Sequence, residues 1–450
     1  MNKEWIELSK TLNKVIDYRG KTPKKLGFEW SETGYRALSA LNVKTNGLEN
    51  LDSIKYASEE LYKKWMKEEI QRGDILLTSE APAGQVMVWD SDEKIVLSQR
   101  LFALRLNSEY DNYFIKYFLQ SDIGQKEINK NTTGSTVFGI SAKMFDLIKV
   151  PKIKKERQVL IGKILKSLDA KIKLNNRINR ELEAMAKTLY DYWFVQFDFP
   201  NADGKPYKSS GGKMVYNAEL KREIPEGWEV KKLGELVYQV TDSISPDEYP
   251  ELPYLPIDKL PMKQLYYYEY ESRSEANSSL IRFKENDILL GAMRVYFHRV
   301  CHAISDGISR STIIVLRPFK ENTKNFALFA LNKNEAIEFA TNNSTGTSIP
   351  YAKWNDSLEN YLIGVPKTDY ILILFNKIVN PILEKFKVQN KQTQQLTELR
   401  DWLLPMLMNG QVTVRQAHGN AVKEAEERLS SSAERSRSMA AEPSVEYKKG

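Results

Sequence analysis

The chain has 450 residues, of which 42% are apolar and 28% are charged, and these values are ordinary for a soluble protein of two or three domains. The formal net charge of +7 is compatible with a nucleic-acid partner but does not require one. The single cysteine, Cys301, excludes an intramolecular disulfide. Without an apolar leader or an apolar run of ~18 residues, the sequence predicts a cytoplasmic protein with no membrane span.

The first 150 residues mix short strand-like runs with helical segments. DILLTS, QVMVWD and LFALRL have the β-branched and apolar content of short strands. IKYASEELYKKWM contains a helical patch, and NYFIKYFLQSDIGQKEINK predicts one amphipathic helix. This part of the chain therefore predicts a mixed module of helices and strands.

A long helix is predicted twice, at Glu156–Phe194 and at Tyr370–Met408, roughly 214 residues apart. Each copy has one apolar stripe whose positions alternate four and three residues apart, which is the coiled-coil period. Such a stripe needs a partner surface, so the two copies either pair with each other, antiparallel, or form separate homodimers. The predicted seam residues are Ile161, Leu165, Leu168, Ile172, Asn175, Asn179, Leu182, Ala186, Leu189 and Trp193, then Phe375, Val379, Ile382, Phe386, Gln389, Thr393, Leu396, Arg400, Leu403 and Leu407.

The repeat extends to the segments that precede the helices. GDILL at 73–77 returns as NDILL at 286–290, and VPK at 150–152 returns as VPK at 365–367. The segment around Arg100 resembles the segment around Arg310, whereas the residues between these anchors differ strongly. The sequence therefore predicts two versions of one binding module that recognise different targets.

Three blocks of sequence resemble the specificity (S) subunit of type I restriction–modification systems. They are LDAKIKLNNRINRELEAMAKTLYDYWFVQFDFPNADGKPYKSSGG (168–212), IPEGWEVKKLGEL (224–236) and LTELRDWLLPMLMNGQV (396–412). Their order and spacing cover nearly the whole chain. The resemblance implies an α+β fold with two mixed α/β target-recognition domains separated by two long conserved helices. The helices would pack as an antiparallel coiled coil, in a pseudo-twofold internal repeat.

The resemblance also implies domain boundaries. Residues 1–150 would form the first target-recognition domain, 151–199 the central helical spacer, 228–365 the second target-recognition domain, and 366–411 the distal helical spacer. Residues 200–227 are rich in Gly, Pro, Ser and Asn, which predicts a linker. Residues 412–450 form a polar tail that we expect to be disordered.

The function implied by the resemblance is non-catalytic recognition of double-stranded DNA. Each domain would read one half of a bipartite target, while the helices set the spacing and dock two modification (methyltransferase) subunits. S-adenosylmethionine, and ATP with Mg for restriction, are expected on the modification and restriction/motor (R) subunits, and no cofactor is expected on this chain.

Candidate DNA-binding residues carry the side chains that contact phosphates and base edges. They are Arg19, Lys21, Lys24, Lys25, Ser79, Gln85, Gln99, Arg100, Thr133, Ser135 and Lys143 in the first module, and Arg294, Tyr296, Arg299, Arg310, Ser311, Thr345, Thr347 and Lys353 in the second. Candidate partner-docking residues near the helix ends are Tyr190, Trp193, Phe194, Trp402, Leu403 and Met406.

Two other function classes remain as alternatives. An enzyme, such as a fused methyltransferase, is disfavoured because the sequence contains neither an Asn/Asp-Pro-Pro-Tyr/Phe motif nor a P-loop. A purely structural coiled-coil scaffold would not require two divergent globular modules. His298, Cys301 and His302 cluster in sequence, but three candidate ligands without a second cluster predict a strand and its turn rather than a metal site.

Overall fold

The computed structural model describes residues 4–409 apart from 46, 133–138, 246, 268, 272, 277–279 and 347–348. The described chain divides into two compact units: unit 1 contains the residues up to Ala170 and those from Thr397 onward, and unit 2 is Lys171–Leu396. The predicted tail, 412–450, lies outside the described residues. Among the described helices, none is long and apolar enough to cross a membrane.

Unit 1 contains short strands, short helices and the first part of a long helix. Its strands are β1 (Trp5–Glu7), β2 (Leu12–Asp17), β3 (Tyr35–Leu38), β4 (Val43–Lys44), β5 (Gly47–Leu48), β6 (Lys55–Ala57), β7 (Ile75–Thr78), β8 (Val86–Val88), β9 (Val96–Leu97), β10 (Leu101–Leu106) and β11 (Lys149–Pro151). Its helices are α1 (Pro23–Leu26), α2 (Glu59–Trp65), α3 (Asn112–Gln120), α4 (Asp122–Lys130) and the start of α5 (Lys155–Tyr190).

Unit 2 contains the rest of α5, followed by a π-helical turn at Asp191–Val195. Its strands are β12 (Met214–Asn217), β13 (Arg222–Pro225), β14 (Trp228–Lys232), β15 (Val237–Gln239), β16 (Ser243–Ile244), β17 (Leu280–Phe283), β18 (Ile288–Gly291), β19 (Val300–His302), β20 (Gly307–Arg310), β21 (Ile313–Pro318) and β22 (Leu362–Pro366). Its helices are α6 (Lys324–Leu331), α7 (Asn334–Asn342) and most of α8 (Tyr370–Asn409).

The same strand order occurs in both units. A four-stranded antiparallel sheet has the order β2-β10-β7-β8 in unit 1 and β15-β21-β18-β19 in unit 2. A two-stranded antiparallel ladder joins the beginning and the end of each module, β1 with β11 and β14 with β22. The repeated motifs at 73–77 and 286–290 lead into equivalent strands, β7 and β18.

The central strands are buried on both faces, which is why they read as continuous apolar runs. Ile75, Leu76 and Leu77 in β7 have no exposed surface, and the equivalent residues of β18 are 0–1% exposed. Burying such a side chain stabilises the fold by roughly 1.5–3 kcal/mol relative to leaving it in water. The sheet is therefore the well-packed core of each module, from which the loops extend.

The segment predicted as one amphipathic helix is two helices. Ser121 ends α3 and caps α4, since its hydroxyl accepts a hydrogen bond from the Gly124 amide at 3.2 Å. The side chain of Asp111 caps α3 in the same way, accepting from the Phe114 amide at 2.9 Å. The periodicity located the apolar face, but the internal cap at Ser121 interrupts the helix.

The two predicted long helices are present as α5 and α8. Each of the twenty predicted seam positions is buried or half-buried. Within unit 2, Asn175 Nδ2 donates to Gln392 Oε1 at 2.9 Å, and the ring of Trp193 lies 5.9 Å from that of Phe375. Within this unit, residues later in α5 therefore contact residues earlier in α8.

Within unit 1, the first half of α5 and the last quarter of α8 meet at a largely buried charge cluster. Asp169 accepts a hydrogen bond from the Tyr117 hydroxyl at 2.6 Å and forms ion pairs with Lys116 at 3.0 Å and Arg400 at 3.2 Å. Burial opposes ionisation of Asp169, but the positive charges of Lys116 and Arg400 and the Tyr117 hydrogen bond outweigh it, so its pKa is lowered.

The segment 200–227, predicted as a linker, contains an antiparallel hairpin, β12 with β13. Phe199 just before it stacks on both Tyr207 and Trp228, with ring centroids 4.7 and 5.6 Å apart. These aromatic contacts fix a segment whose Gly, Pro and Ser content suggested a flexible connection.

Candidate nucleic-acid interface

In unit 1, three separate segments meet where β7 ends. The Ser79 amide donates to the Arg100 carbonyl at 2.8 Å, and the Ile140 amide donates to the Ser79 carbonyl at 2.9 Å. Glu80 and Gly139 form an isolated β-bridge beside them. We call this backbone arrangement the unit 1 junction, and it places the loops that carry most candidate residues of the first module around one strand end.

Unit 2 has the same arrangement at the end of β18. The Ala292 amide donates to the Thr312 carbonyl at 2.8 Å, and the Ala352 amide donates to the Ala292 carbonyl at 2.9 Å. Met293 and Tyr351 form the equivalent isolated bridge. In this unit 2 junction the backbone pattern of unit 1 is repeated with different side chains.

Arg19 is held at the unit 1 junction by its own neighbours. Its guanidinium forms two hydrogen bonds of 2.9 Å to Asp17, donates to the Ile140 carbonyl at 3.0 Å, and lies 3.9 Å above the Phe102 ring. These contacts tie β2, β10 and the 139–140 segment together. Arg19 thus positions the junction in this structure.

Two of the candidate lysines are also engaged within unit 1. Lys21 Nζ donates to the Trp65 carbonyl at 2.9 Å, and Lys25 Nζ donates to the Gly20 carbonyl at 2.8 Å. Burial, with a smaller contribution from Lys67, lowers the pKa of Lys21. Both lysines can still attract phosphates, but their ammonium groups are partly satisfied by carbonyl groups.

Two polar candidates of the first module have internal roles. Gln85 Oε1 accepts hydrogen bonds from the amide and the hydroxyl of Thr45, at 2.9 and 2.8 Å. Ser79 has no exposed surface, so its contribution to the junction is through its backbone groups. Neither side chain faces solvent freely.

The remaining candidates of unit 1 present available side chains. Lys24, Gln99 and Lys143 are exposed, and their side chains form no hydrogen bond or ion pair with the part of the chain that is described. Arg100 pairs with Glu80 at 3.3 Å, and the two side chains are 53% and 37% exposed. Because such an exposed pair is worth only about 0–1 kcal/mol, a phosphate group can displace Glu80 from Arg100.

In unit 2, Arg299 and Arg310 are directed to backbone carbonyl groups. The Arg299 guanidinium donates to the carbonyls of Ile257 and Leu260, the latter at 2.8 Å. Arg310 Nη2 donates to the Glu275 carbonyl at 3.3 Å, a longer contact on a half-buried side chain.

Five candidates of the second module are exposed. They are Arg294, Tyr296, Ser311, Thr345 and Lys353. Arg294 stands next to Met293 in the unit 2 junction, and its amide donates to the Pro350 carbonyl at 2.8 Å while its side chain stays unengaged by described residues. Its φ of 53° is a left-handed conformation, which costs a non-glycine residue ~1 kcal/mol or more and is often found at functional sites.

The structure changes the correspondence between the two modules. Strands β10 and β21 occupy the same place in their sheets. Each begins immediately after the junction residue whose carbonyl accepts a hydrogen bond, which is Arg100 in unit 1 and Thr312 in unit 2. Arg100 therefore corresponds to Thr312, and Arg310 corresponds to Ser98. The sequence analysis matched the segments around Arg100 and Arg310 because both contain Ser and Arg, but these two arginines do not occupy equivalent positions.

Three predicted residues, Thr133, Ser135 and Thr347, lie outside the described residues. Their roles stay predictions.

The docking candidates at the end of α5 are core residues of unit 2. Tyr190, Trp193 and Phe194 are 5–6% exposed, and the Phe194 ring lies edge-on to Phe375 at 5.0 Å. Burial raises the pKa of the Tyr190 hydroxyl. Their packing within unit 2 accounts for the aromatic cluster that the sequence analysis assigned to docking.

The docking candidates near the end of α8 differ in exposure. Trp402 is 45% exposed, Met406 is half-buried, and Leu403 is 1% exposed. Trp402 is thus the docking candidate with the most accessible apolar surface.

An ion pair that the sequence analysis missed joins the two central strands of each sheet, at the strand ends opposite the junction. Arg105 donates from Nε and Nη2 to the two carboxylate oxygens of Asp74 at 2.9 and 2.8 Å, and Arg317 forms the same pair with Asp287 at 2.7 and 2.7 Å. Both aspartates belong to the repeated DILL motif, and both arginines are the penultimate residues of equivalent strands, β10 and β21. This coincidence in the sequence was the signal that could have identified the pair.

The His and Cys cluster of unit 2 is part of a strand and its turn, as the sequence predicted. His298 Nε2 contacts the Asn332 carbonyl at 3.0 Å, His302 Nε2 contacts Asn286 Oδ1 at 3.2 Å, and burial raises the pKa of the Cys301 thiol. A search of the described residues finds no group of three or more His, Cys, Asp or Glu arranged to hold a metal ion.

Comparison with known proteins relates the chain to one family. Residues 3–184 match the family model described as the type I restriction modification DNA specificity domain. The chain is 26% identical over 360 residues to the type I restriction enzyme MjaIX specificity subunit of Methanocaldococcus jannaschii, covering 77% of this chain and 79% of that protein. It is 23% identical over 418 residues to the type I restriction enzyme HindI specificity subunit of Haemophilus influenzae, covering 77% and 88%.

A solved structure shares the fold. The crystal structure of the type I restriction-modification system S subunit from M. genitalium superposes with a TM-score of 0.52 at 16% identity, covering 90% of this chain and 96% of that chain. At this identity the likeness concerns the fold alone.

Proposed function

Since the chain belongs to the specificity subunits of type I restriction–modification systems, we propose that it reads a bipartite DNA target, one half-site per module. The proposal rests mainly on one observation, which is that the same backbone junction occurs in both units. The backbone hydrogen bonds at the ends of β7 and β18 are the same, but the side chains around them differ. A common scaffold with different side chains suits two readers of two different sequences.

The side chains available at the two junctions have the chemistry of DNA recognition. Lys24, Lys143 and Arg100 in unit 1 and Lys353 in unit 2 supply cations for phosphates. Gln99 and Arg294 supply the amide and guanidinium groups that bind base edges in pairs of hydrogen bonds. The modules therefore differ in the groups that would discriminate between bases.

The long helices would act as a spacer, packed as an antiparallel coiled coil between pseudo-twofold related modules. The proposal is supported by the buried seam and by the opposite direction of the contacts along α5 and α8 within unit 2. The polar seam residue Asn175, bonded to Gln392 and Thr393, would fix the register, as a buried Asn does in coiled coils.

The chain would be non-catalytic. Methyl transfer, with S-adenosylmethionine, and ATP-dependent cleavage would belong to the modification and R subunits. This division is supported by a sequence that lacks the base-holding and P-loop motifs that such reactions need.

The expected result of sequencing methylated bases in cells that express this chain with its modification subunit is a split motif. Two different half-sites should appear, with centres about one helical turn apart, because two readers that approach one side of a duplex must meet equivalent grooves. Cells that carry the modification subunit without this chain are the control and should lack the motif. A single continuous motif, or no sequence preference, would contradict the proposed function.

Truncating Trp402 to alanine is expected to weaken docking of the modification subunit about 30-fold, because loss of an exposed aromatic anchor costs on the order of 2 kcal/mol at an interface. Titration monitored by native mass spectrometry measures the loss. Trp5→Ala is the matched control, since Trp5 is 42% exposed in the same unit and is not assigned to docking. Equal weakening by both variants, or none by Trp402→Ala, would refute the assignment.

A further inference from the structure

The backbone around Gln99 is held on both sides. The Ser98 amide donates to the Leu38 carbonyl at 2.8 Å, and the Gln99 carbonyl accepts from the Ala40 amide at 3.1 Å. On the other side, the Arg100 carbonyl accepts the Ser79 amide in the unit 1 junction. Gln99 is therefore exposed on a segment that is fixed by hydrogen bonds to two different parts of unit 1.

The side chain of Gln99, in contrast, is unengaged. Its amide forms no hydrogen bond with any residue for which the structure gives a position, whereas the Gln85 side-chain oxygen accepts two hydrogen bonds from Thr45. Among the unit 1 candidates with available side chains, Lys24 and Lys143 are point charges that suit phosphates. Gln99 is the member of this group whose donor and acceptor can both meet one base edge.

A pocket of about 280 Å³ lies beside Gln99. Trp30 and Trp65 line it with apolar rings 5.8 Å apart, and Lys24 stands at the same pocket. Ser98 also lines it and is only 6% exposed, yet its hydroxyl has no hydrogen-bond partner among the described residues. The Ser98 hydroxyl is therefore available to the pocket, which has both an apolar wall and a polar group that a ligand can meet.

We infer that Gln99 is a base-specificity determinant of unit 1 that reads adenine in an A·T pair, with the pocket receiving the thymine side of that pair. The inference deepens the proposed function and rests on it. A glutamine amide binds adenine N6 and N7 with two hydrogen bonds, and an apolar ring such as Trp30 favours contact with the thymine methyl group. Lys24 attracts a phosphate of the same nucleotide step.

The counterpart in unit 2 cannot make the same contact. Gln99 corresponds to Ser311, because both precede the sheet strand by two residues. A serine hydroxyl is short and has one donor, so it cannot offer the paired amide geometry. The discrimination therefore belongs to the half-site that unit 1 reads.

Replacing Gln99 with glutamate tests the inference in the complete complex with modification subunits. Glutamate only accepts hydrogen bonds and therefore suits cytosine N4. In a selection from random DNA, Gln99→Glu is expected to change one position of one half-site from A to C, by roughly 10- to 100-fold in relative preference. Gln99→Ala is expected to lose the preference at that position without gaining another.

Gln71→Glu is the matched control for added negative charge, because Gln71 is exposed in unit 1 and precedes β7, at the opposite strand end from the junction. It should leave both half-sites unchanged. An unchanged motif in folded Gln99→Glu and Gln99→Ala, or equal weakening at all positions, overturns the role of Gln99 and leaves the proposed function intact. Absence of any split motif with the unaltered chain overturns the proposed function itself.

Discussion

Replacing Asp74 with alanine is expected to destabilise unit 1 by about 3–5 kcal/mol, the usual cost of removing one partner of a buried ion pair. Asp74 is 2% exposed and holds Arg105 with two hydrogen bonds while it accepts the Gln71 amide at 2.8 Å. Without the Asp74 carboxylate, the Arg105 guanidinium stays half-buried but loses the main negative charge that offsets its burial. Glu68 also forms an ion pair with Arg105, but Glu68 is more exposed and therefore replaces only part of the lost interaction with Asp74.

Urea denaturation and amide hydrogen exchange measure this effect, with faster exchange expected in β7 and β10. Asp92→Ala is the matched control, because Asp92 is 81% exposed in its pair with Arg72, and solvent screening leaves such a pair little effect on stability. The equivalent replacement in unit 2, Asp287→Ala, is expected to accelerate exchange in β18 and β21. If Asp74→Ala and Asp92→Ala have equal effects, the buried pair does not stabilise unit 1.

The long helices could be predicted because their signal is periodic and local. Positions such as Ile161 and Phe375 recur at the coiled-coil spacing, and the structure buries both completely. The repeated motifs at 73–77 and 286–290 were recognisable for a similar reason, since a fully buried strand leaves little freedom in its sequence. The existence of two similar modules followed from these signals.

The state of individual side chains could not be predicted, because it depends on contacts between distant segments. Arg19 is held partly by the Ile140 carbonyl and by Phe102, which lie far from it in sequence. Trp193 and Trp402 looked alike as aromatic residues near helix ends, yet one is buried in a core and the other is 45% exposed. Recognition of free and occupied side chains required the tertiary structure.

His302 makes the stability of unit 2 depend on pH. The residue is 7% exposed in β19, its Nε2 contacts Asn286, and its Nδ1 is buried without a hydrogen-bond partner among the described residues. Burial, and to a lesser extent the positive charges of Lys324 and Lys387, lower its pKa to about 3. The folded state therefore keeps His302 neutral where the unfolded chain, with a pKa near 6.5, takes up a proton.

Because the folded-state pKa is the lower one, stability is full above about pH 6.5 and is lost as the pH falls toward 3. The loss from this residue is expected to reach about 2 kcal/mol at pH 5. His302→Gln keeps a donor for Asn286 but cannot titrate, so its stability relative to the unaltered chain should rise by that amount between pH 8 and pH 5, measured by urea denaturation. His298→Gln is the comparison, and a smaller gain is expected because the Asn332 carbonyl favours the charged form of His298 and opposes the lowering of its pKa. If the stability difference between His302→Gln and the unaltered chain stays constant from pH 8 to pH 5, His302 is not the buried neutral group described here.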